Sequence, residues 1–229
     1  FNRLAVSVDT SEVIELDSEW NRFPLLIDVS DPENLLDWCL RVSEQGFTAS
    51  KVSAIIAHPV AARILSVPRV ECMRRLTQIL VSRYPIDGLR CLDEVGLLVL
   101  LLPEVSGLKG FHLSSPHHHK DVYEHTLKVV SQSVPTPLVR WSALLHDVGK
   151  LHTRSFTPTG QVHFFKHDEV GAYLCDGITF RLAFPSELCG EIHRLVLLHL
   201  RPGLYTSSWS DAAVRRLVKE AGSVLGALF

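Results

Sequence analysis

Between Ser66 and Tyr84, Val70, Met73, Leu76 and Leu80 recur every three or four residues, while Arg69, Arg74 and Arg75 fall off that stripe. This spacing predicts an amphipathic helix, broken by Pro85-Ile-Asp-Gly88. The apolar stretch Asp93–Leu102 predicts another, stopped by Pro103. The helical reading starts at Pro32, a residue suited to a first helical turn, with Asp31 or Ser30 as cap. After a loop over 104–116, helices are predicted at His118–Ser133, Thr136–Asp147, His167–Phe180, Ser186–Leu200 and Ser210–Gly222. A turn-rich run, Thr157-Pro-Thr-Gly160, separates the second of these from the third. Residues 1–30 are irregular, with short strands predicted at Leu4–Val8, Val13–Leu16 and Leu25–Asp28. The expected fold class is all-α: an irregular segment 1–30, a smaller helical domain 31–104, and a helical bundle 105–229.

Composition adds few constraints and charge adds one. The 229 residues are 46% hydrophobic and 21% charged, an ordinary globular balance with a net charge of −2. The longest apolar candidate, Val95–Pro103, falls short of the roughly 18 residues of a membrane span, so no membrane partner is expected. No charged, apolar and small-residue leader is expected, and a chain opening on Phe1 is expected to be a portion of something longer. Residues 1–50 hold three Arg/Lys and ten Asp/Glu, a net of −7; residues 51–90 hold seven Arg/Lys against Glu71 and Asp87, a net of +5. The near-neutral total therefore hides a basic middle. Cys39, Cys72, Cys91, Cys175 and Cys189 are scattered and form no CxxC pair, which argues against disulfides and a thiolate zinc site. They are expected to pack as small hydrophobes in a cytoplasmic protein.

The 12 histidines lie mostly beyond residue 110, grouped around acidic residues. Val139, Ala143 and His146 share one helical face, so His146 points inward, and Asp147 follows it directly. Gly149 is placed to end that helix. A buried histidine and carboxylate are costly unless paired or bound to a cation, and a divalent Mn, Ni, Mg, Fe or Zn ion answers that cost. Val122, His125 and Val129 also share a face, bringing His125 to the same core. Asp211 opens the last helix; His118, His167 and His199 are further candidates, any two of which would enlarge the site to two metals. Taken singly, each histidine reads as a satisfied core residue and Asp211 as a helix cap. Their joint placement on successive helices supports metal.

His125, His146-Asp147 and Asp211 match the H…HD…D pattern of the HD superfamily of metal-dependent phosphohydrolases. The chain resembles still more closely the HD domain of bacterial tRNA nucleotidyltransferases, the CCA-adding enzymes and their poly(A) polymerase relatives. The matching stretches are Leu102-Pro-Glu104, HHKDVYEHT from His118, RWSALLHDVGK from Arg140, HFFKHDEVG from His163, HLRP from His199 and WSDAAVRRL from Trp209. Glu44-Gln-Gly-Phe47, Val67-Pro-Arg-Val-Glu71 and Leu89–Leu98 are similar to that family's helical neck. The resemblance implies an HD bundle after a neck whose helices touch tRNA, in keeping with the basic segment 51–90. It implies substrates such as 2′,3′-cyclic nucleotides, 2′-nucleotides or an RNA 3′ end. A nucleotidyltransferase head needs a glycine-serine turn and a D-x-D pair; residues 1–30 contain neither, so this sequence is not expected to add nucleotides.

The leading expectation is an HD-type phosphohydrolase or phosphodiesterase. Lys150 would neutralise charge on the phosphoryl group, Arg154 and Arg201 would contact phosphate, and His118 or His167 would protonate the leaving oxygen. Phe164, Phe165 and Trp209 are expected to pack rather than stack on a base. The alternative is an RNA-binding HD module, or a fragment of a tRNA nucleotidyltransferase system, that is not itself hydrolytic.

Overall fold

The structure is a computed structural model, and it describes residues 5–7, 13–15, 32–46, 59–110 and 121–229. It is all-α, as the periodicity predicts. The first-half helices are α1 (Pro32–Gln45), α2 (Pro59–Ala62), α3 (Arg69–Val81), α4 (Pro85–Glu94), α5 (Leu97–Leu101) and α6 (Pro103–Ser106). The second half carries α7 (Val122–Gln132), α8 (Pro137–Leu145), α9 (Lys150–Thr153), α10 (His167–Arg181), α11 (Ser186–Leu198), α12 (Asp211–Ala221) and α13 (Leu225–Leu228). Two antiparallel pairs complete it: β1 (Ala5–Ser7) with β2 (Val13–Glu15), and β3 (Arg154–Phe156) with β4 (Val162–Phe164). The strand expected at Leu25–Asp28 lies outside the described residues.

Several boundaries differ from the sequence reading for local reasons, and α6 (Pro103–Ser106) enters the stretch 104–116 expected to be a loop. The expected helix Asp93–Leu102 is two helices, because Gly96 adopts φ 77°, a left-handed conformation that ends α4. Pro85 both breaks α3 and begins α4, where its missing N–H is harmless. The turn-rich Thr157–Gly160 proves to be the tip of the β3–β4 hairpin, with Gly160 at φ 79°.

One buried apolar cluster runs from Leu35 to Val196, taking in Leu76, Leu92, Leu101, Val130 and Trp141. A second, smaller one joins Leu195 and Leu198 of α11 to Ala221 and Val224. What matters for the site is how α8 is held. Trp141, fully buried, donates its Nε1–H to Thr77 Oγ1 on α3 at 2.9 Å and meets Phe184 edge-to-face at 4.9 Å. Arg140 is buried too, and burial lowers the pKa of its guanidinium. It donates to the carbonyls of Ser133 and Leu80, the last turns of α7 and α3. These bonds satisfy a charge that would otherwise be costly inside and fix the helix whose end carries His146 and Asp147.

Candidate metal centre

α8 ends at Leu145, and a turn from His146 to Gly149 leads into α9. Asp147 is 1% exposed within that turn. Four histidines from three other elements and its own turn surround it. His146 Nε2 lies 3.1 Å from Asp147 Oδ2, and His125 Nε2, on half-exposed α7, 3.8 Å from the same oxygen. His167 Nε2, at the start of α10, is 3.5 Å from Oδ1. His199, just past α11, sits among them, its ring 5.3 Å from His146 and 5.2 Å from His167. Ligand atoms converge in two groups: His125, His146 and Asp147, and Asp147, His167 and His199. Asp147 belongs to both.

The outer contacts set the direction of three rings. Nδ1 of His146 faces the Ala143 carbonyl at 2.8 Å, that of His167 the Phe164 carbonyl at 2.9 Å, and that of His199 the Val196 carbonyl at 2.6 Å. A carbonyl only accepts, so each Nδ1 carries the proton and each Nε2 becomes the lone-pair end. Those of His146 and His167 face the Asp147 carboxylate oxygens, acceptor against acceptor. His167 Nε2 is buried and makes no hydrogen bond. Such an arrangement is unfavourable unless a proton or a cation lies between. The donor set, imidazole nitrogens with one carboxylate, suits first-row divalent metals, and backbone carbonyls that orient ligating histidines are the usual outer support. The residues present therefore fit a divalent metal.

The charges agree. Burial raises the cost of ionising Asp147, but a proton on His146 Nε2, in the place a cation would take, together with Lys150 outweighs it and holds the carboxyl well below the usual range. His199 is pulled down to about 4, chiefly by burial; a ring neutral at ordinary pH is a ready ligand.

Of the other candidates, Lys150 Nζ reaches Asp147 Oδ2 at 2.7 Å and lies over the Phe164 ring. Asp211 is not brought into either convergent group. It is exposed at the first turn of α12, where its charge complements the helix dipole, while Ser210 is the cap, accepting from Ala213 N. His118 lies outside the described residues. Arg154 stacks its guanidinium over Phe156, and Arg201 lines a groove shared with Asp168, Asp176 and Glu220. The expectation that Phe165 packs is wrong: it is 71% exposed and stacks on His163 at 5.1 Å. Nor does Gly149 act as a left-handed helix cap, since its φ is −63°. It is needed for close approach, because a Cβ there would lie 2.0 Å from the His167 carbonyl oxygen and 2.6 Å from Gly171 N. Sequence reasoning missed the orienting carbonyls; the only signal for them is that each precedes its histidine by three residues at an element's end.

The HD-domain family model matches residues 122–224, the stretch that holds all five of these side chains. The chain is similar over a longer stretch than that match to tRNA nucleotidyltransferases. It is 39% identical over 150 residues to the CC-adding tRNA nucleotidyltransferase of Thermus thermophilus, covering 63% of this chain and 33% of that protein. It is 34% identical over 177 residues to the A-adding tRNA nucleotidyltransferase of Deinococcus radiodurans, covering 74% and 40%. With the multifunctional CCA protein of Alkalilimnicola ehrlichii it shares 35% identity over 130 residues, covering 54% and 30%. The chain thus spans about a third of the length of the relatives it matches.

Proposed function

We propose that this protein is a metal-dependent phosphohydrolase or phosphodiesterase acting on nucleotides or RNA ends, for example 2′,3′-cyclic phosphates. The observation that supports it most is the buried Asp147 carboxylate faced by histidine lone pairs, with a lysine on the same oxygen. His125, His146, Asp147, His167 and His199 would hold the ion, whether Mn, Ni, Mg, Fe or Zn. Such an ion supplies Lewis-acid charge for the transferring phosphoryl group. Lys150 adds a positive charge at the rim and would hold a phosphoryl oxygen. Asp211, Arg154 and Arg201 would act only from outside the convergent groups; we retain Arg154 and Arg201 as phosphate contacts. His118, or His167 where it is left off the ion, would serve as acid to the leaving oxygen.

We also propose the division into an irregular 1–30, a neck-like 31–104 and an HD domain 105–229. Contact between tRNA and segment 51–90 would have to reorganise existing pairs. Arg74 bonds Glu71, Arg75 bonds Glu71 and Asp37, and Arg90 bonds Glu124. Ion pairs near the surface are weak and screened by salt, so phosphates can replace them. A second reading, an RNA-binding module or a fragment of a CCA-adding system without hydrolysis, is favoured by the names of the relatives.

The test is hydrolysis of 2′,3′-cyclic AMP, 2′-AMP, bis-p-nitrophenyl phosphate and an RNA with a cyclic phosphate end, with Mn²⁺ or Ni²⁺ added. Turnover is expected, and Asp147→Ala should abolish it. Bound metal without turnover on any of the four would transfer the case to the second reading. No helix among the described residues is long and apolar enough to cross a membrane, so aqueous assays suit the chain; cytoplasmic placement is part of the proposal.

A further inference from the structure

Beside the metal centre lies a mostly apolar space of about 220 Å³. His146 and His199 form its inner wall, and Val129, Val139, Leu195 and Leu228 its sides. Pockets that enclose drug-sized ligands run to roughly 300–1,000 Å³, so this one suits a single ring system. Ser142 also lines it. That side chain is 8% exposed, and its hydroxyl, closed to solvent, has no hydrogen-bond partner. Helical hydroxyls usually return to the carbonyl one turn back, as Thr126 does to Val122 and Thr179 to Cys175. A buried hydroxyl left unmet is unfavourable, and one rotation about Cα–Cβ into the space would let a ligand with a polar edge satisfy it.

The outer wall comes from α13. Ala227 and Leu228 line the space and pack against the small cluster of Leu195, Leu198, Ala221 and Val224. The cavity is thus apolar on its faces, bears one unsatisfied hydroxyl, and shares two histidines with the metal centre. A nucleobase has that complementary chemistry: flat apolar faces and a polar edge. An aliphatic chain would leave Ser142 unmet.

We infer that this space receives the nucleobase of the substrate, with Ser142 bonding a ring nitrogen or carbonyl and the sugar phosphate turned toward the His146–His199 wall. The site would then select mononucleotides and single terminal nucleotides over base-free phosphate esters. The position of the phosphate rests on the phosphohydrolase reading; the base contact does not.

Calorimetric titration of the Mn²⁺-loaded protein with adenosine, 2′-AMP and inorganic phosphate tests this. The wild type should bind 2′-AMP at least about tenfold more tightly than phosphate, and adenosine measurably. Ala227→Phe, which fills the cavity, should weaken 2′-AMP about tenfold while leaving phosphate affinity and metal content unchanged. Ser142→Ala removes a hydroxyl that has no partner in the protein, so thermal stability should hold or rise while 2′-AMP affinity falls roughly fivefold. If Ala227→Phe fails to fold, Ser142→Ala decides alone. Unaltered 2′-AMP affinity in the folded variants would overturn the inference, even if turnover is seen. Loss of adenosine binding in them, with no turnover of any ester by the wild type, would sustain the base pocket and sink the phosphohydrolase reading.

Discussion

Lys150 Nζ lies 2.7 Å from Asp147 Oδ2, the same oxygen that faces His146 at 3.1 Å and His125 at 3.8 Å. A lysine and a metal ion on that side would draw on the same carboxylate oxygen, and a lysine released from it would reach outward, toward substrate. Lys150→Met should accordingly leave metal uptake equal or stronger while lowering kcat on a phosphate ester by about 10²–10³. Dialysis against Mn²⁺ with metal analysis, run beside the kinetics, checks both. Metal lost together with the lysine would mean that Lys150 only holds the carboxylate in place.

The sharing of Asp147 by two histidine pairs predicts a particular pattern of metal content. His125→Ala should impair the group formed with His146, and His199→Ala the group formed with His167, each leaving the other intact. Asp147→Ala should empty both. If the protein takes up two ions, each histidine variant should retain one; if it takes up one, only one of the two variants should lose it. Equal losses in every variant would mean that the five side chains form a single indivisible site.

Gly149 and Gly171 let the His146–Gly149 turn touch the first turns of α10. A Cβ at residue 149 would drive into the His167 carbonyl, which belongs to backbone and cannot swing aside. Gly149→Ala should destabilise the protein by about 3 kcal/mol, the upper range for overpacking, and displace His167 from Asp147. Urea unfolding and metal affinity should fall together. A variant as stable as the parent would show that α10 can retreat without cost.

Much of this was legible in the chain. Helical spacing located most of the helices, and the inward face of Val139-Ala143-His146 placed His146 correctly in the core; the same reasoning failed for His125, whose side chain is 46% exposed although its Nε2 still comes within 3.8 Å of Asp147. What the spacing lacked was long-range partners. Asp211 reads by itself as a helix cap and becomes a ligand candidate only through the H…HD…D pattern, and the packing of α12 on α11, which no local pattern records, decides where that helix start points. Arg154 and Arg201 were candidate phosphate contacts, and their surroundings, an aromatic ring and an acidic groove, come from residues up to 33 positions away in sequence. Gly149 reads as a helix terminator because glycine commonly is one; the contact that requires it is made by a segment 18 residues further on. Pairings such as Trp141 with Thr77, 64 residues apart, leave no trace in local periodicity.

His199 carries the clearest pH prediction. Burial, with the neighbouring His146 and His167, pulls it down to about 4, against the partial support of the Val196 carbonyl and Asp147. In the unfolded chain it titrates near 6.5. Between those values the unfolded state binds a proton that the native state refuses, so its contribution to stability is present above about pH 6.5 and is lost as pH falls toward about 4. The lowered Asp147 carboxyl acts in a separate window, since its contribution disappears only below the ordinary carboxylate range. In metal-free protein, the urea midpoint should therefore decline between pH 6.5 and 4.5, and His199→Gln should flatten that decline by an amount approaching ~3 kcal/mol. A divalent metal should shift the loss to lower pH, because protons must then displace an ion from the imidazole. Identical pH curves for the parent and His199→Gln would show that the ring is solvated, and it would no longer be a credible member of the ligand set.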